Sequence, residues 1–228
     1  MNNAIITGAS RGLGLAVARA LAAEGWRLTL DARTAADLER AARELGRLTE
    51  VVALPGDVAD AAHRRALVAA AGERIDVIMN NASALGPSPL PALADYPLDA
   101  LERLWRVNVL GPLGLIQEAL PRLHPGATIV NVSSDAAVED YPGWGGYGST
   151  KAALDQLTAT LAAENPGLKV YAVDPGDMRT RMHQDAFPGQ DISDRPAPET
   201  VVPALLDLLR NAHPSGRYRM QQPAEAQA

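Results

Sequence analysis

The chain has 228 residues, enough for one domain or at most two, and 47% hydrophobic and 21% charged residues are typical of a globular protein. A formal net charge of −6 argues against general binding to nucleic acid. The absence of cysteine excludes disulfides, thiolate metal sites and a cysteine nucleophile, and no apolar run approaches the length of a membrane span.

The first predicted element is a buried strand that leads into a glycine-rich turn. Residues 3–7 form a short apolar run, and apolar residues at helical spacing follow from Leu15. Between them, Gly8 can make a tight turn, Gly12 lets the backbone approach a pyrophosphate, and Gly14 lets the helix pack close to the strand. Strand, glycine turn and helix together are typical of a site for a nucleotide phosphate.

The same turn has a second interpretation. Gly8-Ala9-Ser10-Arg11-Gly12 matches the Gly-x-Ser-x-Gly nucleophile elbow of an α/β hydrolase, in which Ser10 would attack the substrate. Such a serine needs a histidine, and the candidates are His124, His183 and His213. No His-Gly-Gly-Gly-type oxyanion loop is present, and the elbow would lie on the first strand, before such a loop could be built. We therefore rank the hydrolase third among the candidate functions.

Strand-like and helix-like segments alternate along the rest of the chain. The predicted strands are 3–7, 27–31, 50–54, 75–79, 127–132, 168–173 and 217–220, and the predicted helices are 12–24, 34–46, 60–72, 98–122, 147–164 and 199–211. This alternation predicts an α/β fold, a Rossmann-like doubly wound parallel sheet of about seven strands with helices on both faces. We expect a single domain over residues 1–220 and a polar tail at 221–228, and Pro112 predicts a bend or break in the fourth helix.

A tyrosine and a lysine lie four residues apart in the fifth predicted helix. Residues at this spacing share a helix face, so Lys151 would stand one turn from Tyr147, and its charge would favour the phenolate. Ser134 precedes the tyrosine by thirteen residues. The longest stretch without periodicity, 177–198, is interpreted as a lid or as a plain surface connection.

Seven short motifs follow one another along the chain, and together they resemble the short-chain dehydrogenase/reductase family, Asn-Ser-Tyr-Lys type. They are Thr7-Gly8-x-x-x-Gly12-x-Gly14, Asp57-Val58, Asn80-Asn81-Ala82-Ser83, Asn108, Val132-Ser133-Ser134, Tyr147-x-x-x-Lys151 and Asp174-Pro175-Gly176. The resemblance covers essentially the whole chain. Ser83 departs from it, because the family usually has glycine at that position.

The resemblance implies a nicotinamide dinucleotide. Asp57 would bind the adenine amino group, Asn80 would lie along the cofactor, and Thr180 with the backbone near Gly176 would anchor the carboxamide. These residues could also have purely structural roles: a turn or helix cap for Asp57-Val58, a strand-end turn for Asn80 and an N-cap for Thr180. The predicted cofactor-binding residues are Gly8, Ser10, Arg11, Gly12, Leu13, Gly14, Arg33, Asp57, Val58, Asn80, Ala82, Tyr147, Lys151, Pro175, Gly176, Met178 and Thr180.

The sequence favours NADP(H) over NAD(H). Asp31 lies about 20 residues beyond the turn, where a ribose-binding acid would select NAD. Alignment of the second strand with the family, however, puts Ala32 at the acid's position, followed directly by Arg33. Together with Arg11 in the glycine turn, Arg33 could bind a 2′-phosphate through charge-assisted bonds.

The implied reaction is hydride transfer between a nicotinamide and a carbonyl or alcohol carbon. Ser134 and Tyr147 would bind the substrate oxygen, with Tyr147 as general acid. Lys151 would hold the ribose hydroxyls, and Asn108 would connect Lys151 to a water relay through its backbone. An apolar wall suited to an apolar or cyclic ketone or aldehyde, or equally to lid packing or a subunit contact, would comprise Tyr141, Trp144, Met178, Met182 and Phe187.

We expect a cytoplasmic enzyme with a small-molecule substrate, no metal, and no nucleic-acid or membrane partner, since no secretory leader precedes the first strand. The resemblance implies a homodimer or homotetramer, with the predicted helices 98–122 and 147–164 as contact faces. The second candidate function is a dinucleotide-binding sensor or scaffold without catalysis. A sensor has no need of the acid–base set Ser134, Tyr147 and Lys151.

Overall fold

A computed structural model describes residues 1–220, and the predicted polar tail at 221–228 lies outside the described residues. The strands are β1 (Asn3–Ile6), β2 (Arg27–Ala32), β3 (Val51–Pro55), β4 (Ile75–Asn80), β5 (Leu123–Val132), β6 (Lys169–Asp174) and β7 (Gly216–Arg219). The helices are α1 (Gly12–Ala23), α2 (Ala35–Leu45), α3 (Ala61–Ala71), α4 (Leu98–Trp105), α5 (Gly111–Ala119), α6 (Gly145–Glu164), α7 (Arg181–Ala186) and α8 (Val202–Arg210).

All strand pairs are parallel, and the sheet order is β3-β2-β1-β4-β5-β6-β7. The predicted Rossmann-like α/β fold is thus confirmed. The chain moves outward from β1 through β2 to β3 and then returns to place β4 on the other side of β1. This change of direction creates a crevice at the carboxyl ends of the strands, where ligands of such folds bind.

Both faces of the sheet are covered by helices, and the central strand β1 is accordingly buried along its whole length. Ala4 and Ile6 belong to a core shared with α1, α2 and α8, whereas Ile5, between them, packs with residues of α3 and α5. A further cluster joins α5 and α6 to β5 and β6. The helices therefore form two layers around one sheet, as the alternating sequence pattern predicts.

The predicted helix 98–122 is interrupted, and the interruption precedes Pro112. Helix α4 ends at Trp105, the π-helical turn Arg106–Leu110 follows, and α5 then begins with Pro112 in its first turn. In the π turn the amide of Gly111 donates to the carbonyl of Arg106, five residues back. Proline has no amide hydrogen, so the carbonyl of Asn108 cannot receive the usual bond from position 112. The predicted break is real, and it takes the form of a π turn.

Two other segments differ from the sequence prediction. Strand β5 begins at Leu123, four residues earlier than predicted, where Leu123 pairs with Ile75 of β4 before a register shift. The segment 177–198, predicted to lack regular structure, contains the short helix α7. The Thr180 side chain caps α7 by accepting a hydrogen bond from the His183 amide at 3.3 Å.

Candidate active site

An open cleft of about 2000 Å³ lies at the carboxyl ends of the strands, large enough for a dinucleotide together with a substrate. The structure brings most of the predicted site residues to its walls: Gly8, Ser10, Arg11, Gly12, Leu13, Arg33, Asp57, Val58, Ala82, Ser134, Tyr147, Lys151, Pro175, Gly176, Met178 and Thr180. Three predicted residues, Gly14, Asn80 and Asn108, are not part of the lining and lie behind it.

In the glycine turn, Gly8 and Gly14 are closely packed against neighbouring backbone, whereas Gly12 faces open space. A Cβ atom at Gly8 would lie 2.9 Å from the Ala82 Cα, and one at Gly14 would lie 2.7 Å from the Gly8 carbonyl oxygen. At Gly12, by contrast, the nearest atom is the Thr180 Cγ2 at 3.6 Å, and the positive φ of 57° favours glycine. Gly12 is therefore where the backbone is bare toward the cleft, and Gly8 and Gly14 let helix and strand ends approach.

The beginning of α1 has amide groups available for a phosphate. Arg11 occupies the N-cap position and makes no capping hydrogen bond through its side chain. The first amides of a helix have no partner within the helix and carry partial positive charge, so they bind anions. Together with the bare backbone at Gly12, these amides fit the pyrophosphate of a dinucleotide.

Asn81, not Asn80, holds the glycine turn in place. The Asn81 side chain donates to the carbonyls of Thr7 (2.9 Å) and Gly8 (3.2 Å), and its backbone amide donates to the Thr7 hydroxyl. The Asn80 amide is buried and donates to the Asn131 side chain at 2.8 Å. The prediction that Asn80 lies along the cofactor is therefore wrong for its side chain, because this group is engaged inside the sheet.

Asp31 is an internal structural residue. It is 1% exposed, and its carboxylate accepts from the Gly8 amide at 2.7 Å and lies 3.0 Å from the His63 Nε2. A ribose-binding acid must present a carboxylate to the ligand, and this carboxylate is already bound on both oxygens. The geometry therefore agrees with the rejection of Asp31 as the ribose ligand. The sequence analysis did not single out His63, which forms the second of these two contacts with Asp31.

Two arginines line one end of the cleft, near the glycine turn. Arg11 and Arg33 are both exposed and line the cleft. The nearest anionic partner of Arg11 is Asp37, at 4.0 Å. Beside them, one Asp57 oxygen accepts from the Ala59 amide at 2.9 Å, whereas Asp60 caps α3. Asp57 therefore forms a turn, and the residue that caps α3 is Asp60.

Tyr147, Ser134 and Lys151 meet at the other end of the cleft. Tyr147 is 7% exposed and lines the cleft together with Ser83 and Ser134. Burial raises the pKa of this phenol above its ordinary value of 10; the Ser83 hydroxyl lowers it, the Asp135 and Asp174 carboxylates raise it, and the Ser134 hydroxyl lowers it. In the absence of cofactor, Tyr147 is therefore a protonated acid.

Lys151 lies one helical turn from Tyr147, as the spacing predicts. Its ammonium is buried, donates to the Val132 carbonyl at 2.7 Å and lies 5.4 Å from the centre of the Tyr147 ring. Burial lowers the pKa of Lys151 to about 8, although the charge of Asp155 opposes this effect. The shared helix face is confirmed, but desolvation of the phenol outweighs any help from the lysine.

Asn108 lies in the π turn and uses every hydrogen-bonding group of its side chain. Its Oδ1 accepts from the Ser83 hydroxyl (3.1 Å) and the Ala84 amide (2.8 Å). Its Nδ2 donates to the Ala84 carbonyl (2.9 Å) and the Thr150 hydroxyl (3.0 Å). The Asn108 side chain therefore fastens the loop after β4 to α6, behind Tyr147.

Asp135, directly after Ser134, is a further residue of the site. Its Oδ1 accepts from the Ser134 hydroxyl at 2.9 Å, and its Oδ2 accepts from the Tyr141 hydroxyl at 3.3 Å. An acid directly after the serine was visible in the sequence, but its effect depends on this contact. Without substrate, the Ser134 proton points to Asp135.

Part of the predicted apolar wall forms one cluster over Tyr147. The Trp144 ring lies 5.8 Å from the Tyr147 ring and 6.0 Å from the Phe187 ring, centre to centre, and Met182 of α7 packs in the same cluster. The Ser88 hydroxyl donates to the Asp185 carbonyl at 2.6 Å, which joins the loop after β4 to α7. Helix α7 therefore covers the end of the cleft at which Tyr147 lies.

The other predicted wall residues lie apart from this cluster. Tyr141 is 44% exposed at the rim, and Met178 packs partly against the core of the opposite layer. Thr180 caps α7 and also lies beside Gly12, so its two interpretations are compatible in space. The backbone of Gly176 is fixed by a 2.9 Å bond from its amide to Asp174.

The hydrolase interpretation lacks its base. Within residues 1–220, no histidine is hydrogen-bonded to Ser10. His124 lies at the beginning of β5, whereas the glycine turn follows the end of the parallel strand β1. His183 lies 3.7 Å from Asp177, and His213 pairs with Asp207 at 2.7 Å. Nothing in this arrangement activates Ser10 as a nucleophile.

Among residues 1–220, no three or more histidine or acidic side chains are grouped so that they could hold a metal ion. The helices in this part of the chain are too short or too polar to span a bilayer.

Comparison with known proteins identifies the family. The model of the short chain dehydrogenase family matches residues 2–191. The chain is 34% identical to a rhamnolipids biosynthesis 3-oxoacyl-acyl-carrier-protein reductase of Pseudomonas aeruginosa, over 78% of this chain and 73% of the relative. It is also 34% identical to a benzil reductase ((S)-benzoin forming) of Saccharomyces cerevisiae, over 89% and 79%.

A solved structure agrees in fold over nearly the whole chain. The alcohol dehydrogenase of the archaeon Thermococcus sibiricus, in complex with 5-hydroxy-NADP, superposes with a TM-score of 0.87 at 30% identity, covering 98% of this chain and 99% of that one. The glycine turn, the Tyr147–Lys151 pair and the parallel sheet lie in the order that the resemblance implied. The chain belongs to the short-chain dehydrogenase/reductase family and is an oxidoreductase of that family.

Proposed function

We propose that the chain is an NADP(H)-dependent carbonyl reductase that interconverts an apolar or cyclic ketone or aldehyde and its alcohol by hydride transfer. One observation carries this proposal: a single cleft joins the bare glycine turn at one end to the Ser134 and Tyr147 hydroxyls and the Lys151 ammonium at the other. When bound, the nicotinamide would supply or accept the hydride.

The preference for NADP(H) rests on the charges at the adenosine end. Asp31 borders the same cleft but is 1% exposed with both carboxylate oxygens already engaged, whereas Arg11 and Arg33 are exposed there. A 2′-phosphate is an anion that arginine binds in a bidentate manner, so both side chains favour NADP over NAD. The complex of the Thermococcus sibiricus relative with 5-hydroxy-NADP supports the same choice.

Tyr147 would be the proton donor in the reducing direction. The raised pKa of its phenol keeps the proton on the oxygen until charge develops on the substrate carbonyl. Ser134 would turn its hydroxyl from Asp135 to the same substrate oxygen and stabilise the developing charge. Two hydroxyl donors directed at one oxygen provide more stabilisation in the transition state than in the ground state.

Lys151 and Asn108 would support this pair. Lys151 would bind the nicotinamide ribose hydroxyls, which requires its ammonium to share or exchange its bond to the Val132 carbonyl. Asn108 would contribute through its backbone carbonyl, which has no amide partner at Pro112 and could bind a water of the proton relay. Its side chain keeps the loop after β4 against α6.

The substrate is proposed from the wall that covers Tyr147. Trp144, Met182 and Phe187 present apolar and aromatic surface beside the phenol, which suits an aryl or alicyclic ketone. The relative named as a benzil reductase is 34% identical to this chain over 79% of its own length. Benzil is therefore the first probe substrate.

The cofactor test compares NADPH with NADH as reductants of benzil, with variants at the two arginines. We expect NADPH to be preferred, and Arg33→Ala and Arg11→Ala each to weaken NADPH binding by about tenfold or more with little effect on NADH. Arg40→Ala is the matched control, because Arg40 is exposed on α2 and pairs with Asp37 at 2.7 Å outside the cleft lining. A strong NADH preference would refute the assignment.

The catalytic test is Tyr147→Phe. We expect this variant to lose turnover and to bind NADPH with nearly unchanged affinity, because the phenol hydroxyl is needed for proton transfer. Turnover near the wild-type rate would contradict the mechanism. Binding of NADPH without oxidation by any member of a broad carbonyl panel would instead support the sensor.

A further inference from the structure

Arg217, on the last strand of the sheet, makes hydrogen bonds to three elements that carry the site. Its Nη2 donates to the Ser134 carbonyl at 2.9 Å and to the Asp174 carboxylate at 3.3 Å. Its Nε donates to the Asp155 carboxylate on α6 at 3.0 Å. Arg217 is not part of the cleft lining formed by residues 1–220. Its guanidinium therefore joins β7 to α6 and to the ends of β5 and β6 from outside the cleft.

Two carboxylates fix the orientation of this guanidinium. Asp174 is buried, and its other oxygen accepts from the Gly176 amide at 2.9 Å, so the carboxylate is itself held by the backbone. Asp155 is half-buried on α6. The N–H groups of arginine form a planar, rigid fork, so bonds from Nε and Nη2 to separate carboxylates determine how the guanidinium is turned. Nη2 is thereby directed at the Ser134 carbonyl.

The backbone and the side chain of Ser134 are held by three donors. Its carbonyl accepts from the Ala137 amide at 3.1 Å as well as from Arg217, and its Oγ accepts from the Ala136 amide at 3.2 Å. Two donors on the carbonyl limit rotation about the Ser134 Cα–C bond and movement of the Cα. The position of Oγ is therefore set by the backbone, whereas the hydroxyl proton is free to turn from Asp135 to a substrate oxygen.

A variant of Arg217 does not leave Asp174 without a cation. Residues i and i+2 of a strand face the same way, and the Arg219 Nε lies 3.7 Å from the same Asp174 oxygen. An unpaired buried carboxylate would be costly, and Arg219 prevents this. Within residues 1–220, however, no hydrogen bond joins Arg219 to Ser134. The Ser134 carbonyl therefore loses its cationic donor when Arg217 is replaced.

We propose that Arg217 is a positioning residue that acts through the Ser134 carbonyl to hold the Ser134 hydroxyl where it meets the substrate oxygen beside Tyr147. This proposal rests on the proposed function. Arg217 takes part in no proton or hydride transfer, because it lies outside the cleft lining. It contributes the geometry of one donor, and a donor displaced by about 1 Å stabilises the developing charge poorly.

The kinetic test is reduction of benzil by NADPH in Arg217→Met, which keeps the apolar stem and removes every donor. We expect kcat to fall about tenfold, whereas the dissociation constant of NADPH, followed by its fluorescence, should change less than about threefold. Arg219→Met is the matched control, because Arg219 lies on the same strand and faces the same Asp174 oxygen. Its kcat should stay within about twofold of the wild type.

A double variant identifies the residue through which Arg217 acts. In Ser134→Ala the hydroxyl that Arg217 would position is missing, so the addition of Arg217→Met should lower kcat by less than about twofold further. Ser134→Ala retains Tyr147 as proton donor, which leaves a residual rate to measure. If Arg217→Met has the same effect on kcat with and without the Ser134 hydroxyl, Arg217 acts elsewhere and the inference is overturned.

A crystal structure of cofactor-free Arg217→Met provides a readout that does not depend on turnover. We expect the Ser134 Oγ to move by about 1 Å or to occupy two positions, with the sheet unchanged. An Oγ in the wild-type position would overturn the inference. Urea unfolding shows whether the variant is folded, and Arg217→Gln replaces it if it is not. Failure of both variants to fold would indicate a purely structural role and would also overturn the inference.

Failure of the proposed function has a different appearance. It would be seen as no turnover of any carbonyl by the wild type, or as turnover by Tyr147→Phe near the wild-type rate. The crystallographic comparison of Ser134 remains interpretable in both cases. Failure of the inference alone would be seen as an active wild type whose kcat is unchanged in Arg217→Met.

Discussion

Replacement of Lys151 by methionine is expected to change how the stability of the cofactor-free protein depends on pH. Lys151 is 2% exposed, and burial lowers its pKa from 10.5 to about 8. Between these pH values the unfolded chain binds the lysine proton and the folded protein does not. The free energy of unfolding contributed by Lys151 therefore rises with pH across this window.

The magnitude follows from the same two values. At about 1.4 kcal/mol per pH unit, the lowering of the Lys151 pKa corresponds to about 3 kcal/mol when the whole window is crossed. Methionine fills a similar volume without a titrating group. Its loss of the bond to the Val132 carbonyl is independent of pH and cancels in a comparison of slopes.

The assay is urea unfolding of the cofactor-free protein at about pH 7 and about pH 10. We expect the wild type to gain about 2 to 3 kcal/mol more than Lys151→Met between these conditions. Lys169→Met serves as control, because the other lysine of the chain is half-buried and donates to the Asn211 carbonyl at 3.1 Å; this variant should follow the wild type. Equal slopes for wild type and Lys151→Met would refute the reasoning.

Three further variants probe the site. Gly14→Ala should lower the free energy of unfolding by about 1 to 3 kcal/mol, because its Cβ would lie 2.7 Å from the Gly8 carbonyl oxygen; unchanged urea unfolding would contradict this. Asp31→Ala should cost about 2 to 4 kcal/mol in the same assay, since the Gly8 amide loses a charged acceptor at 2.7 Å, and a loss no larger than that of the exposed control Asp99→Ala would count against it. Asp135→Asn should lower the Tyr147 pKa and move the rising limb of benzoin oxidation to lower pH, and a limb that stays in place or moves higher would exclude this effect.

The fold was predictable because its signals are local and repeat many times. Buried parallel strands are apolar on both faces, and helices follow them at regular intervals. The order of the motifs also located most of the cleft lining. The helix break was predictable from Pro112, since it depends on one missing amide. The short helix α7 was missed because six residues are too few to show helical periodicity.

The errors within the site concern which neighbouring atom a polar group meets. Successive side chains of a strand point to opposite faces, and the sequence could not show whether Asn80 or Asn81 faces the glycine turn. The contact between Asp31 and His63 joins residues far apart in the chain, so no local pattern reveals it. The spacing of Tyr147 and Lys151 predicts their proximity, but it cannot show the loss of solvent that raises the pKa of the phenol.

The oligomeric state and its contact faces stay predictions. The homodimer or homotetramer and the proposed contact faces on the helices near 98–122 and 147–164 are not tested by one chain. Two leucines within the first of these regions are exposed, Leu98 at 80% and Leu110 at 53%. Exposed leucines of this kind are expected on a surface that a second subunit covers. Sedimentation of the purified protein at several concentrations measures this directly.

The irregularity of the helix at Asn108 is set by covalent structure, because Pro112, which follows the π turn, has no amide hydrogen. A strained helical turn held only by side-chain contacts can revert to regular geometry when one contact is mutated or when solvent enters. Here the missing donor is an atom that the chain does not contain, so neither temperature nor pH can restore it. The Asn108 carbonyl consequently has no donor at residue 112 under any condition, and only a change of residue 112 itself can remove the cause.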